Sequence, residues 1–182
     1  AESENMSVTN TATDELYGLR MRGDGTFIEP AFRINPPIPY PDVSHPQVVW
    51  NSVHDQYLVV WEDWSDDNPR ILGRRLAPDG TFLSADFTIS GARATGPSSP
   101  VLAFDATRTE YLVAWEDERH HQDRGIDIYA RRITADGTML GKDFRVSGPK
   151  AVENEWSPRV AWNSAQDQYL VVWNDERDNT PF

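Results

Sequence analysis

The sequence has no cysteine, no long apolar run and a shortage of cations. Without cysteine there is no disulfide, and cysteine usage carries no information on the redox compartment. No stretch approaches the roughly 18 consecutive apolar residues of a membrane-spanning helix, so membrane insertion is not expected. Lysine and arginine total 17 against 29 acidic residues, a net charge of −12. Nucleic acids and anionic membranes are bound through a basic footprint, which this composition excludes. Cations such as calcium, and neutral ligands such as sugars, fit an acidic surface. Also missing are a glycine-rich phosphate loop, a Gly-x-Ser-x-Gly elbow and a His-Glu-x-x-His pair. No amphipathic helical pattern stands out. The N-terminus shows no signal-peptide pattern, and Ala1-Glu2-Ser3 suits a mature start from which a leader has been removed. The acidic, cysteine-free, tryptophan-rich character points to an extracellular or cell-surface protein of bacterial type.

What the chain has in abundance is aromatic residues, 11% with seven Trp, too many for a disordered chain. They are organised by a phrase written three times. It reads Gln56-Tyr57-Leu58-Val59-Val60-Trp61-Glu62-Asp63, then Glu110-Tyr111-Leu112-Val113-Ala114-Trp115-Glu116-Asp117, then Gln168-Tyr169-Leu170-Val171-Val172-Trp173-Asn174-Asp175. A repeat of roughly 50 residues marks an array of similar units. Aligning the copies predicts four short strands per unit. The first follows His-Pro or Ser-Pro (48–50, 101–104, 160–162). The second is the Tyr-Leu-Val-Val-Trp run, apolar on both faces as a strand between two neighbouring sheets would be. The third covers 71–76 and 128–133. Asp-Gly, which supplies the positive φ of a tight hairpin, then leads to the fourth at 87–90 and 144–147. Trp50, Trp61, Trp115, Trp162 and Trp173 fall in repeated strand slots and are expected in the core.

Four-stranded units of this length predict an all-β fold of β-propeller-type blades. Residues 1–13 read as an extension and 14–182 as a single repeat domain. Within it the expected parts are a half-blade at 14–35, blades at 46–91 and 100–148, and a half-blade at 158–178. The first half-blade carries strands three and four, the last carries strands one and two, and the two are complementary. Bare half-blades leave unpaired edges, which proteins avoid. The expected resolutions are a six-bladed dimer or other homo-oligomer, the remainder of a larger propeller, a filament, or a three-fold β-trefoil-like barrel formed within one chain.

The Tyr-Leu-Val-Val-Trp-x-Asp run, the Asp-Gly-Thr hairpin and the Phe-x-Ile-Ser strand resemble a repeat of secreted bacterial β-propeller-type proteins, distantly similar to sialidase-like and kelch-like blades. The resemblance covers nearly the whole chain. It implies fold and not function, since propellers host enzymes, lectins and scaffolds. The sialidase Asp-box is not reproduced, because the Asp-Gly-Thr copies lack its Ser and its Trp.

Strand order puts the near-identical turns on one face and the variable loops on the other, where function is expected. Trp64 and Trp156 each occur in one copy only, at expected loop positions. A loop Trp among polar groups is a platform for a sugar ring, and also a residue that packs against a neighbouring blade. Tyr40, Arg119 and Arg177 complete the expected ligand-binding set. Asp66, Asp67, Asp123 and Asp127 are the expected calcium ligands, although no loop has EF-hand spacing. His120-His121 reads as an exposed polar pair. Arg22-Gly23-Asp24 reads as a hairpin turn and not as an adhesion tripeptide, and Asn5-Met6-Ser7 matches a glycosylation sequon. The expected function is a non-enzymatic, lectin-like module binding a glycan or protein. The alternatives are a self-assembling structural protein and a glycan hydrolase, whose carboxylate pair would come from different blades.

Overall fold

The computed structural model describes residues 14–28, 30–39, 41–148 and 153–176. Tyr40, Arg177 and the sequon at Asn5 lie outside the described residues. β1 (Tyr17–Gly18) pairs antiparallel with β2 (Phe32–Arg33) as a two-stranded sheet. β3 (Val43–Asn51), β4 (Gln56–Asp63), β5 (Arg70–Leu76) and β6 (Phe87–Thr88) form a four-stranded antiparallel meander in chain order. β7 (Ser98–Asp105), β8 (Glu110–Asp117), β9 (Asp127–Thr134) and β10 (Met139–Arg145) repeat it, with a single helical turn, α1 (His121–Arg124), between β8 and β9. β11 (Glu155–Asn163) and β12 (Gln168–Asp175) form a second two-stranded sheet. The fold is the all-β, blade-type architecture expected. Among the described residues the half-blades lie in separate sheets and share no strand pairing, so the trefoil-like alternative is not adopted.

The repeated phrase explains the layering. Side chains alternate faces along a strand, so a strand apolar on both faces must lie between two others. In β4, Leu58 and Val60 join Tyr111, Val113 and Trp115 of β8 in one core cluster. Val59 and Trp61 face the other way, towards Leu16 and Ile34 of the first half-blade. In β8, Leu112 and Ala114 turn towards Val171 and Trp173 of β12. Polar groups also bridge the blades: Asn51 Nδ2 donates to Tyr111 Oη at 2.9 Å, and Gln56 Nε2 to the Ala135 carbonyl at 2.6 Å.

The short turns are held by their own side chains. Asn51 Oδ1, Asp105 Oδ1 and Asn163 Oδ1 each accept two amides of the following turn. Asp24, Asp79 and Asp136 each accept the Thr amide two residues on, which accounts for Arg22-Gly23-Asp24 as a turn. Each first turn ends on a residue with positive φ: Asp55 at 51°, Thr109 at 55° and Asp167 at 54°. A β-branched side chain is strained there. Thr109→Asn is therefore expected to raise unfolding stability by about 1 kcal/mol, read from the urea midpoint.

Two expectations need correction. The first strand starts earlier than its His-Pro or Ser-Pro, because it runs through the proline by way of a bulge. And Trp50 is not core: it is 38% exposed, tilted against Tyr57 with ring centres 4.7 Å apart, because no described sheet covers that side of β3. Trp61 and Trp115 are fully buried, as expected, while Trp162 and Trp173 are half-buried.

Candidate active site

The first strands β3, β7 and β11 pack side by side, and each carries the same bulge near its start. The bulged residues His45, Ser99 and Ser157 have φ of 49°, 52° and 55°. Such strain persists only where the surroundings enforce it. At Ser99 and Ser157 the bulge is held by the glutamate next to the end of the second strand of the preceding blade. Glu116 Oε1 accepts the Ser157 amide at 2.8 Å, and Glu62 Oε1 accepts the Ser99 amide. This bond repeats and is architectural.

The serine hydroxyl on Glu62 repeats as well, as Ser98 Oγ on Glu116 Oε2 at 3.2 Å, but the His and Trp partners of Glu62 do not. The Glu62 side chain is only 4% exposed. Its Oε2 accepts Ser44 Oγ at 2.8 Å, His45 Nδ1 at 3.0 Å and Trp64 Nε1 at 3.3 Å. A carboxylate only accepts, so His45 Nδ1 carries the proton and Nε2 is the ring nitrogen left for a ligand. The His45 side chain is 63% exposed, and Trp64 is 37% exposed. Trp64 is anchored further by its amide on the Asp42 carbonyl at 2.8 Å. One buried carboxylate thus aims an imidazole and an indole from the mouth of the innermost strands. The other copies have Ser99 and Ser157 in place of His45, and Glu118 and Glu176 in place of Trp64.

The other expected site residues are distributed differently. Trp156, 37% exposed, lies inside β11 rather than in a loop, beside the bulged Ser157 and opposite Asn174. Arg119 is not free for a ligand. Its guanidinium is paired with Asp117 and Asp143, both at 2.6 Å, and lies 3.7 Å from the centre of the Tyr129 ring. Asp66 is paired with Arg70, and the fully buried Asp127 with Arg145 at 3.3 Å. Among the described residues no three His, Asp or Glu side chains are grouped to hold a metal ion, Asp66, Asp67, Asp123 and Asp127 included. His120 precedes α1 and His121 opens it, the latter exposed.

Sequence reasoning passed over Glu62 because it belongs to the repeated phrase. It passed over His45 because it sits in a repeated strand start. The signal for both is the one His in a slot that otherwise holds Ser. Sequence reasoning also passed over Glu155. This residue occupies the slot of Val43 and Pro97, is fully buried, and neither carboxyl oxygen has a hydrogen-bond partner. The neighbouring Ser147 hydroxyl goes to Asp127 at 3.3 Å. Burial pushes the Glu155 carboxyl up and the charges of Asp127 and Asp175 add to the shift, while the nearby Ser147 hydroxyl and the Arg145 charge act against it.

No protein-family model and no curated protein matches the chain. Solved structures do. The chain is similar to an N-acetylgalactosamine deacetylase from F. plautii solved with blood group B trisaccharide (TM-score 0.56, 13% identity, 88% of this chain and 54% of that one). It is similar to a Penicillium chrysogenum α-L-arabinanase solved with arabinobiose (0.59, 12%, 87% and 48%). It is also similar to an α-L-arabinofuranosidase from Lactobacillus brevis (0.52, 12%, 87% and 52%). The chain spans about half the length of these proteins. At such identities the likeness shows the fold, a propeller-type one, and no particular kinship to sialidase-like or kelch-like blades. All three neighbours are glycan-processing enzymes. That overturns the expectation of a non-enzymatic binding module, and with it the expectation that the protein is not an enzyme.

Proposed function

We propose that this chain belongs to a glycan-acting hydrolase and carries part of its sugar site at the mouth of the innermost strands. The observation that carries the reading is the Glu62-centred constellation, with Trp64 and His45 presented side by side. The indole face stacks on a sugar ring, and the imidazole Nε2 takes a hydroxyl or moves a proton during bond cleavage. Trp156 provides a second stacking surface on the first strand β11, which β7 separates from β3. The fold likeness to enzymes of arabinose- and galactosamine-containing glycans supports this ligand class. Polymeric glycans are too large to cross a membrane, so the reading places the protein outside the cell or on its surface.

Incubation of the purified protein with arabinans and N-acetylgalactosamine-containing oligosaccharides tests this. The expected result is release of new reducing ends. Trp64→Ala is expected to lower kcat/KM about tenfold, mostly through KM, which corresponds to one lost stacking contact. Trp64→Phe is expected to keep most of the activity. Absence of hydrolysis of every glycan in the panel by folded protein would sink the reading.

A further inference from the structure

The two half-blades present surfaces that the rest of the fold shows how to fill. β1 stands in the place of a third strand. Its register with β2, Tyr17 opposite Arg33 and Gly18 opposite Phe32, reproduces that of β5 with β6, Leu72 opposite Thr88 and Gly73 opposite Phe87. The glycines match for a reason: a Cβ on Gly18 would meet Ile34 at 3.0 Å, and one on Gly73 would meet Ile89 at 2.9 Å. β12 stands in the place of a second strand. From Gln168 to Trp173 it is identical to β4 from Gln56 to Trp61, the strand that pairs with β5. So β12 has the side chains that belong against a third strand, and β1 is a third strand whose inner edge has no second strand among the described residues.

The exposed apolar side chains mark the same fit. Leu58 and Val60 in β4 are buried, 1% and 0% exposed, whereas Leu170 and Val172 in β12 are 64% and 49% exposed. At the other end a groove of about 550 Å³ is lined by Tyr17, Leu19, Met21, Val48 and Tyr57. Val48 is 62% exposed, while Leu102, in the same slot of the next blade, packs on the cluster that holds Leu58 and Val60. The polar contacts have counterparts too. Asn163 and Tyr57 occupy the slots of Asn51 and Tyr111, which are bonded at 2.9 Å.

We propose that two copies of this chain close one ring by exchanging half-blades, β12 of each pairing with β1 of the other. By the β4–β5 register, Trp173 then lies opposite Tyr17, Val172 opposite Gly18 and Tyr169 opposite Met21. The exchange also completes the sugar site. Ser99 and Ser157 have their bulged amides bonded to Glu62 and Glu116, and the equivalent acceptor for the His45 amide is the partner's Asn174. The exchange stands on packing and register alone and does not depend on the glycan reading.

Light scattering after size exclusion, at tens of micromolar protein, tests it. The expected mass is twice the 20.7 kDa of one chain, constant with concentration. Val172→Glu and Val48→Lys each put a charge into the exchanged face, and each alone is expected to weaken association at least 100-fold while keeping the strand signal in circular dichroism. Mixed one to one, they are expected to form a heterodimer, because one interface then pairs the two charges and the other is unaltered. A wild-type monomer, an assembly that grows with concentration, a dimer that survives both single changes, or a failure of the folded variants to combine would each overturn the proposal.

Discussion

Glu62→Ala is expected to lower stability by about 3 kcal/mol and the rate of glycan hydrolysis by about 100-fold. The stability loss follows from the bonds the carboxylate holds. It satisfies the Ser99 amide on the neighbouring blade and three further donors, from Ser44, His45 and Trp64. Removing a nearly buried charged acceptor orphans those donors, at the high end of the cost of one lost hydrogen-bond partner. The rate loss follows from geometry, since an imidazole and an indole without their common anchor drift by an ångström or so. Glu62→Gln separates the two effects. Its amide oxygen still accepts the Ser99 amide, while its NH2 group confronts the donors that Oε2 receives. Stability is then expected to fall by about 1 kcal/mol, with most of the activity lost. Urea midpoints and initial rates on the three proteins provide the check. A Glu62→Ala protein with the wild-type midpoint would show that the link between the blades carries no weight.

Glu155→Val is expected to stabilise the protein by about 2 kcal/mol at neutral pH. The carboxyl is buried with neither oxygen hydrogen-bonded, a placement that costs a few kcal/mol. Val is what the equivalent slot holds in the first blade, at Val43, where it joins the core. The same burial raises the Glu155 pKa, which sets a pH dependence. A carboxyl whose folded pKa lies above its unfolded value favours folding when protonated. Its contribution is complete below the unfolded value and is lost as pH rises through the folded one. The wild-type midpoint is therefore expected to rise as pH falls from neutral towards the ordinary carboxylate range, and Glu155→Gln is expected to flatten that slope. Equal slopes in the two proteins would mean that Glu155 is not the titrating group. Below pH 4 the lowered pKa values of Asp24, Asp79 and Asp136, each bonded by a turn Thr, act in the opposite direction, so stability is lost again as they protonate.

Much of the fold is legible in the repeated phrase, and the physical reason is local. A strand apolar at Leu58, Val59, Val60 and Trp61 has no exposed face, so it must be the middle of a stack. Asp-Gly-Thr and Asn-Ser-x-x-Asp close on their own amides, so the turns are readable from a few adjacent residues. The Trp64 position in the loop after β4 follows from the same alignment. The site itself was only partly readable. Arg119 looks like a ligand-binding residue until Asp143, on another strand of the same blade, is seen to take its guanidinium. Trp156 looks like a loop residue until the first strand is seen to bulge and run through its proline.

The amino-acid sequence by itself determined which segments are strands, where they turn and that they stack as blades, and its acidic balance excluded a basic footprint. These follow from periodicity, turn chemistry and composition, all properties of neighbouring residues. The tertiary structure alone decided that Glu62 reaches from one blade to hold the next, that it turns His45 and Trp64 outward together, and that Glu155 is sealed in a slot meant for an apolar residue. Those facts depend on which faces meet when separate sheets pack, and residues distant in the chain become neighbours only then.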